Sequence, residues 1–358
     1  MSRYSQDFWH LFGKAYHQAL DRRTSPGIVG QVKRAARATL GKWRFQITNP
    51  RLKFLEQHRA EHEQVYEWLS DDPSRQVMLA VIMGRLIGYP NVTLPITPTK
   101  QAEAHTYAIN NLRRETHTLP TYSEAITDYL DKYELHPLGI PLTLHSHENL
   151  VAEIFMFQQY RYAVGSNVVE IGSGDVVIDA GACWGDTVVF FAQQAGESGS
   201  VHAFEFEDAN LHILRANLDL NPALKARIHI VERAVWDQDD VTLSFDANGV
   251  KSKITEGGKF TVSTRTIDTY VREQGLPSVD FIKMDIEGAE LAALKGAADT
   301  IRRFKPRLAI AIYHSPEDFF IIPQYIKSLV PEYALYIGHF TPVRHETILF
   351  AEAKSPSP

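Results

Sequence analysis

Four ionisable residues, Lys283, Asp285, Glu287 and Glu290, lie within eight consecutive positions of the chain. The apolar run Asp280–Met284 indicates a strand, and alternate residues of a strand share a face, so Lys283 and Asp285 would point the same way. A strand of a parallel sheet is normally apolar on both faces, and buried charges are costly unless they are paired. We therefore predict that Lys283 contacts Asp285, Glu287 or Glu290.

A histidine follows the next apolar run, Leu308–Tyr313. Ser315 fits the N-cap of a helix and Pro316 its first position, which places His314 at the carboxyl edge of a strand. An imidazole at that edge can act as a general base, although a lone histidine is more often a structural or surface group. His314 is therefore a candidate base beside the carboxylates.

Two acidic, glycine-rich segments occur in succession, Glu170–Gly174 and Asp179–Gly185. A turn that binds a nucleotide-like cofactor leaves a buried strand and enters a helix, because the helix start offers free amide groups. The first segment precedes the strand-like run Val176–Asp179, so we predict a hairpin-like connection there. The second follows that run and precedes the predicted helix Thr187–Ala195, which makes it the predicted cofactor loop.

An acidic residue, Glu205, closes the next predicted strand. It lies at about the distance along the chain at which a carboxylate binds ribose hydroxyls. The alternative is an acid that caps the following helix, a role that Glu207 or Asp208 fills better. We predict that Glu205 binds ribose.

The loop does not fit a dinucleotide, because Cys183 and Trp184 stand where glycines would bring the backbone against a pyrophosphate. S-adenosylmethionine has ribose and adenine but no phosphate, and its cationic methionine end can use an acid such as Asp179. Cys183 as a nucleophile is the competing interpretation, but no paired base accompanies it in the sequence. The loop therefore favours S-adenosylmethionine.

From about Val168 onward, short β-branched runs alternate with helical segments, which is typical of a parallel sheet covered by helices on both faces. Such a sheet binds ligands at the carboxyl ends of its strands. A helix carrying Leu211, Leu214 and Leu218 on one face follows the second strand. The predicted strands are Val176–Asp179, Ser200–Glu205, Ile228–Val235, Asp280–Met284, Leu308–Tyr313, Leu335–Ile337 and Thr347–Phe350.

The length of 358 residues and the 44% hydrophobic content favour a main domain with a smaller accessory region. We predict a mainly helical accessory region over residues 1–131, a main domain over 132–353 and a disordered tail over 354–358. A single cysteine and the absence of a secretory signal pattern predict a cytoplasmic protein, and no apolar run approaches the roughly 20 residues of a spanning helix.

A basic arm lies within residues 22–59, although the net charge of −6 argues against bulk nucleic-acid binding. Apolar residues recur there every four positions, at Ile28, Val32, Ala36 and Leu40. This pattern permits an amphipathic helix on an anionic membrane surface, for instance the inner membrane face. The alternative is a solvated basic helix packed on the acidic main domain.

Five segments of the chain form one recognisable set: Asp175–Ala182, Phe204-Glu205, Thr266-Ile267-Asp268, Ile282–Glu290 and Leu294-Lys295-Gly296. Together they resemble the FkbM family of S-adenosylmethionine-dependent methyltransferases, over roughly Gly174 to Phe350. Cys183-Trp184 replaces an asparagine-hydrophobic pair common in the family, and Phe206 stands where many members have proline.

The resemblance implies a Rossmann-like class I methyltransferase fold, with a mostly parallel seven-stranded sheet. It also implies O-methylation of a sugar hydroxyl in a glycan, a glycolipid or a glycosylated natural product. The expected cofactor-binding residues are Asp179, Ala180, Gly181, Ala182, Cys183, Trp184, Gly185, Thr187, Glu205, Phe206, Ala234 and Asp285.

In the implied mechanism, His314 and Asp285 are the candidate bases, Glu287 or Glu290 orients the acceptor, and Lys283 holds the acids in register. No metal ligands are predicted, although acids this dense could hold a divalent cation. The expected partner is a carbohydrate or glycosylated small molecule, and no nucleic acid. Two alternatives remain: a nucleic-acid methyltransferase, whose base-methylation signature the chain lacks, and a non-catalytic scaffold. Acceptor contacts are expected from the N-terminal region and from Asn248–Thr261.

Overall fold

The computed structural model describes residues 50–122, 127–246, 253–255 and 257–353. The helices are α1 (Pro50–Gln57), α2 (Arg59–Trp68), α3 (Asp72–Ile87), α4 (Pro98–Tyr107), α5 (Glu148–Leu150), α6 (Asp186–Ala195), α7 (Asp208–Leu220), α8 (Ile267–Glu273), α9 (Glu290–Lys295), α10 (Ala298–Phe304) and α11 (Asp318–Leu329). Short 3-10 turns lie at Tyr89–Asn91, His136–Leu138 and Pro222–Arg227, and π-helical turns at Ala108–Leu112 and Val151–Met156.

The strands in the described part of the chain form four sheets. They are β1 (Arg113–Tyr122), β2 (Thr127–Glu134), β3 (Thr143–Ser146), β4 (Tyr162–Val164), β5 (Asn167–Val169), β6 (Val176–Ala180), β7 (Ser200–Phe204), β8 (Ile228–Val231), β9 (Ala234–Val235), β10 (Thr242–Asp246), β11 (Lys253–Ile254), β12 (Phe260–Arg265), β13 (Phe281–Met284), β14 (Arg307–Ala311), β15 (Tyr333–His339) and β16 (Thr347–Ala353).

The central sheet has seven strands in the order β15-β16-β14-β13-β6-β7-β8. Neighbouring strands from β14 to β8 are parallel, and β16 runs antiparallel to both of its neighbours. The strand order reverses between β6 and β13, and in such sheets the ligand site lies outside the carboxyl ends of the strands at that point. The predicted Rossmann-like α/β fold is confirmed.

Two local predictions differ from the structure. The predicted strand Ile228–Val235 is interrupted, because β8 ends at Val231 and β9 pairs with β12 in a separate sheet. The segment Glu170–Gly174 is not a hairpin connection, because β5 pairs with β4 and not with β6. Instead, the Asp175 carboxylate accepts a hydrogen bond from the Gly172 N–H at 2.6 Å and closes a turn that leads into β6.

The prediction of a helical region up to residue 131 is wrong beyond α4 and its π-helical turn. Strands β1 and β2 pair antiparallel, and β2 also pairs with β3, so a boundary after residue 131 falls inside a strand. Several β-branched threonines in β1, such as Thr116 and Thr118, favour the strand conformation. The alternation of residues in this segment is therefore that of a strand and not of the helix that we predicted.

The accessory helices α1 to α3 share an apolar core with the central sheet. Val65 and Met78 belong to the same buried cluster as Leu308 and Phe319. The helices also cover the edge strand β15, where the Ile337 N–H donates to Ser74 Oγ at 3.1 Å. A covered edge cannot pair with another chain, so these helices complete the main domain.

The predicted tail 354–358, the basic arm up to residue 49 and residues 248–252 and 256 of the predicted acceptor loop lie outside the described residues. The amphipathic pattern from Ile28 to Leu40 and its membrane contact therefore stay predictions. None of the helices in the described part of the chain combines the length and the apolar character needed to cross a membrane.

Candidate active site

The predicted cofactor loop passes tightly against the end of β13. Gly181 has φ +85°, and a Cβ atom there would lie 2.1 Å from the Asp285 backbone oxygen. Only glycine fits this position without displacing one of the two segments. The close approach brings the loop after β6 and the carboxyl end of β13 into one site.

Lys283 is buried and pairs with Asp179, not with Asp285, Glu287 or Glu290 as predicted. Its Nζ lies 3.1 Å from Asp179 Oδ1 and donates to the backbone oxygen of Gly181 at 2.7 Å. The pairing follows from strand register, because Lys283 on β13 lies opposite Asp179 on β6. The ion pair supports the predicted cofactor loop from the core side of the protein.

The Asp179 carboxylate is fully buried, and its second oxygen accepts a hydrogen bond from Thr187 Oγ1 at 2.6 Å. This placement differs from the direct cofactor contact that we predicted for Asp179. Ala180, Ala182 and Trp184 are also buried, and the Trp184 indole N–H donates to Asn210 Oδ1 at 3.1 Å. These four residues support the loop from the core side.

A cleft opens between the cofactor loop, the end of β7 and β9; we call it the narrow cleft. The predicted residues Gly181, Cys183, Glu205, Phe206, Ala234 and Asp285 all line it. Glu287, predicted to orient the acceptor, and Ile254, from the segment predicted to contact the acceptor, also line it. Further lining residues that were not predicted as site residues are Phe204, Asn210, Arg233, Val235, Ile286 and Ala289.

Glu205 joins the cofactor loop to the end of β7. Its carboxylate accepts hydrogen bonds from the backbone N–H groups of Cys183 at 2.9 Å, Phe206 at 2.7 Å and Glu207 at 2.8 Å. Burial raises the pKa of Glu205 to about 7. Glu207 takes the N-cap position of α7, so Glu205 is not the helix cap.

Cys183 does not have the environment of a nucleophile. Burial, followed by the nearby carboxylates of Glu205 and Asp186, raises the pKa of its thiol well above the ordinary value. A reactive cysteine needs a lowered pKa, so Cys183 is held as a neutral thiol.

A second cavity, the wide cavity, has a volume of about 570 Å³ and shares Gly181, Cys183, Asp285 and Glu287 with the narrow cleft. Thr187 and Lys283 reach its wall as well. Sequence analysis missed three of its carboxylates and two of its tyrosines: Glu153, Asp186, Glu346, Tyr160 and Tyr313.

Asp285 lies where the two cavities meet, and two tyrosines hold its carboxylate. The hydroxyl of Tyr160 donates to Oδ2 at 2.9 Å, and that of Tyr313 donates to Oδ1 at 3.1 Å. Burial raises the pKa of Asp285, while His314 and Lys283 oppose the shift. The position of Tyr313 directly before His314 could have indicated its role, whereas Tyr160 gives no signal in the sequence.

His314 lies among the predicted carboxylates. Its Nδ1 is 3.0 Å from Glu290 Oε1, and its Nε2 is 3.5 Å from Asp285 Oδ1 and 3.6 Å from Glu287 Oε2. Burial alone would lower the pKa of His314, but Glu287, Glu290 and Asp285 raise it to about 11. The ring is therefore an imidazolium at neutral pH.

Asp285, Glu290 and His314 offer ligand atoms within 4.8 Å of one another, a spacing that a cation could also use. Both ring nitrogens of His314, however, face carboxylates, which suits a protonated ring. A histidine ligand must keep one nitrogen unprotonated. The arrangement fits an imidazolium held by carboxylates better than a metal centre.

Comparisons with known proteins agree with this geometry. Residues 179–333 match the family model of the methyltransferase FkbM domain. The crystal structure of methyltransferase FkbM from Methylobacillus flagellatus KT superposes with a TM-score of 0.52 and 21% sequence identity, over 84% of this chain and 60% of that one. This chain thus spans less than two thirds of that protein. No curated protein matches.

Weaker likenesses extend to fibrillarin from Aeropyrum pernix with natively bound S-adenosyl-L-methionine, at 12% identity and a TM-score of 0.34 over 66% of this chain and 99% of that one. The O-methyltransferase from Bacillus cereus in complex with SAH gives 12% identity and a TM-score of 0.33, over 57% and 78% of the two chains. The central sheet has the class I methyltransferase fold. Residues 179–333 of the chain are therefore similar to the methyltransferase domain of the FkbM family.

Proposed function

We propose that the protein is an S-adenosylmethionine-dependent O-methyltransferase that acts on a hydroxyl of a carbohydrate or a glycosylated small molecule. The observation that carries the proposal is the position of Asp285 on the wall shared by the narrow cleft and the wide cavity. A cofactor in the first and an acceptor in the second would meet at this carboxylate.

The residues of the narrow cleft fit the nucleoside half of the cofactor. Glu205 offers a carboxylate to ribose hydroxyls, and Phe206, Ala234 and Val235 offer apolar surface to a base. The cleft is narrow, with a volume of about 70 Å³. When bound, S-adenosylmethionine supplies an electrophilic methyl group on a cationic sulfur.

Acidic residues of the wide cavity suit the cationic end of that cofactor. Glu153 and Asp186 line the cavity near Gly181, and burial raises the pKa of Glu153 to about 8 and that of Asp186 to about 6. Carboxylates that burial holds partly protonated gain from a nearby positive charge, which favours their ionised form. We propose that they bind the ammonium group, the role predicted for Asp179.

The wide cavity has the polar lining that a sugar needs. Gln101, Asn149 and Gln159 offer amide groups, and Tyr160 and Tyr313 offer hydroxyls. Such groups fix the orientation of a polyhydroxylated ligand through hydrogen bonds. These contacts support a carbohydrate acceptor.

Asp285 is the group that can take the proton of the acceptor hydroxyl. A sugar hydroxyl is not ionised at neutral pH, so a positioned base must accept its proton as the methyl group is transferred. His314 is already protonated and cannot do so. Burial raises the pKa of Asp285, and the charge of His314 opposes that shift and so favours the ionised form that accepts a proton, while Tyr160 and Tyr313 orient that carboxylate.

The test combines calorimetry with a mass-spectrometric search for methylated products. The full chain should bind S-adenosylmethionine and transfer labelled methyl to at least one compound in a panel of glycans, glycolipids and glycosylated natural products. Binding without transfer to any carbohydrate would overturn the acceptor class. No binding at all would overturn the cofactor and leave a non-catalytic scaffold.

A further inference from the structure

A third cavity, the accessory cavity, has a volume of about 340 Å³ and lies between α1, α3 and the segment that follows β14. Tyr313, His314 and Arg344 line both this cavity and the wide cavity. Only one side chain would therefore separate a ligand in the accessory cavity from Asp285, because Tyr313 and His314 both contact that carboxylate.

The residues that line the accessory cavity are of two kinds. Phe54, Leu55, Ile82 and Leu86 are apolar. Arg51, Arg85 and Arg344 carry guanidinium groups. A cavity lined by both apolar and cationic groups suits a ligand with an apolar portion next to a negative charge.

Arg85 is half-buried, and it forms no ion pair with any carboxylate of the described residues. Its guanidinium lies 4.4 Å from the centre of the Phe319 ring and donates a long hydrogen bond, 3.4 Å, to the Tyr313 backbone oxygen. Asp318 lies in the neighbourhood of Arg85, but its Oδ2 accepts the Ser315 N–H at 2.6 Å.

A nearby arginine, Arg344, adds positive charge at Arg85. Burial lowers the pKa of Arg85, the nearby Tyr89 and Asp318 oppose that shift, and the positive charge of Arg344 lowers it further. Two guanidinium groups that line the same cavity repel each other unless an anion lies between them. An oxyanion would satisfy both, because the planar guanidinium matches phosphate and carboxylate geometry.

We propose that the accessory cavity binds the acceptor through an anionic group, a phosphate or a carboxylate, that is attached to an apolar portion. The methyl acceptor is then an acidic amphiphile whose hydroxyl extends past Tyr313 to Asp285. This proposal rests on the proposed function, because it names the class of acceptor for the same site. It also gives the accessory helices a role in substrate recognition.

The test measures binding of small probes to the full chain by isothermal titration calorimetry. Hexyl phosphate and hexanoate carry both features, whereas inorganic phosphate and hexanol each carry one. At least one amphiphilic probe should bind about tenfold or more tightly than either single-feature probe. Comparison of hexyl phosphate with hexanoate shows which oxyanion the cavity prefers.

Two variants and a control locate the binding. Arg85→Gln should weaken binding of the amphiphilic probe by about tenfold or more. Arg344→Gln, at an exposed position that does not contribute to the core, should show the same direction of change if Arg85→Gln fails to fold. The control is Arg302→Gln, since Arg302 lies on the surface in an ion pair with Asp299 and should not affect probe binding.

The outcomes separate this proposal from the proposed function. Equal affinity for amphiphilic and single-feature probes, or unchanged binding in both arginine variants, overturns the acceptor class. S-adenosylmethionine binding is measured on the same samples and should be unchanged in Arg85→Gln. Loss of cofactor binding in the wild-type protein counts against the proposed function alone, and amphiphile binding that persists there still supports the cavity.

Discussion

Two acid–base pairs lie near the carboxyl end of β13, and their environments differ. Lys283 and Asp179 are 2% and 0% exposed and satisfy each other inside the protein. His314 and Asp285 are 9% and 13% exposed and line the wide cavity. The first pair stabilises the loop after β6, and the second presents charge to the wide cavity.

The difference lies in what balances each charge. The Lys283 ammonium has one carboxylate and two backbone oxygens as partners, which accounts for its three donors. His314 instead faces three carboxylates, so negative charge is in excess on the cavity side. A closed pair is a structural feature, whereas an unbalanced cluster that lines a cavity indicates chemistry.

The largest effect is expected from breaking the buried ion pair between Lys283 and Asp179. Lys283→Met leaves the Asp179 carboxylate buried without a counter-ion and should lower the free energy of unfolding by about 3–5 kcal/mol. Urea denaturation measures it. The double variant Lys283→Met/Asp179→Asn should recover part of the loss, because it removes the orphaned charge.

A matched double variant distinguishes the observed pairing from the one that the sequence predicted. Lys283→Met/Asp285→Asn should recover less stability than the combination with Asp179→Asn. Equal recovery of stability in the two double variants would show that Lys283 pairs with Asp285 as well as with Asp179. The two acid–base pairs would then not be separate.

The pair of His314 and Asp285 should make the stability of the protein depend on pH. Because the pKa of His314 is raised from 6.5 to about 11 in the folded protein, its stabilising contribution is complete below pH 6.5 and is lost as pH rises through about 11. The difference in unfolding free energy between wild type and His314→Gln should narrow by roughly 1 kcal/mol per pH unit between pH 7 and 10.

The exposed His136 provides the control for that titration. His136→Gln should give a stability difference from wild type that does not change over the same interval. A constant difference for His314→Gln would mean that its ring is not held protonated, and His314 would return as a candidate base.

Asp285→Asn should separate activity from stability. Removal of the proton acceptor should lower the methyl-transfer rate by about a hundredfold while cofactor binding persists. Burial already disfavours the charge on Asp285, so the unfolding free energy should stay equal or rise. A large loss of stability in this variant would mean that Asp285 has a structural role, as Lys283 and Asp179 have.

Local patterns were enough to predict the central sheet and the glycine-rich turn that follows β6. Short β-branched runs between helical segments marked each strand, and the glycines of Asp179–Gly185 marked the turn between β6 and α6. The carboxylates of Asp285, Glu287 and Glu290 were predicted together because their spacing alone places them at one strand end. These features depend on residues close in sequence.

Features that depend on distant contacts could not be predicted. The partner of Lys283 depends on β6 and β13 being neighbours in a particular register. Glu153 and Tyr160 come from a π-helical turn and the segment after it, where no periodicity signals their role. The strand β1 was missed because threonine-rich alternation was outweighed by the helical pattern before it.

The smallest effect concerns Glu205, which combines features of both pairs. Its carboxylate is buried and tied to the cofactor loop through the Cys183 N–H, as Asp179 is tied to Thr187, yet it also lines the narrow cleft. Glu205→Gln keeps the shape but turns one acceptor oxygen into a donor. S-adenosylmethionine should bind about tenfold more weakly, and stability should fall by about 1–2 kcal/mol.

Calorimetry and urea denaturation of the same Glu205→Gln sample decide which feature prevails, with the exposed Glu197→Gln as the control that changes neither quantity. A loss of stability without a loss of affinity would make Glu205 a structural residue like Asp179. A loss of affinity alone would make it a cofactor-binding residue without a structural role. Because its three backbone donors and the cleft lie on the same carboxylate, we expect both quantities to fall together.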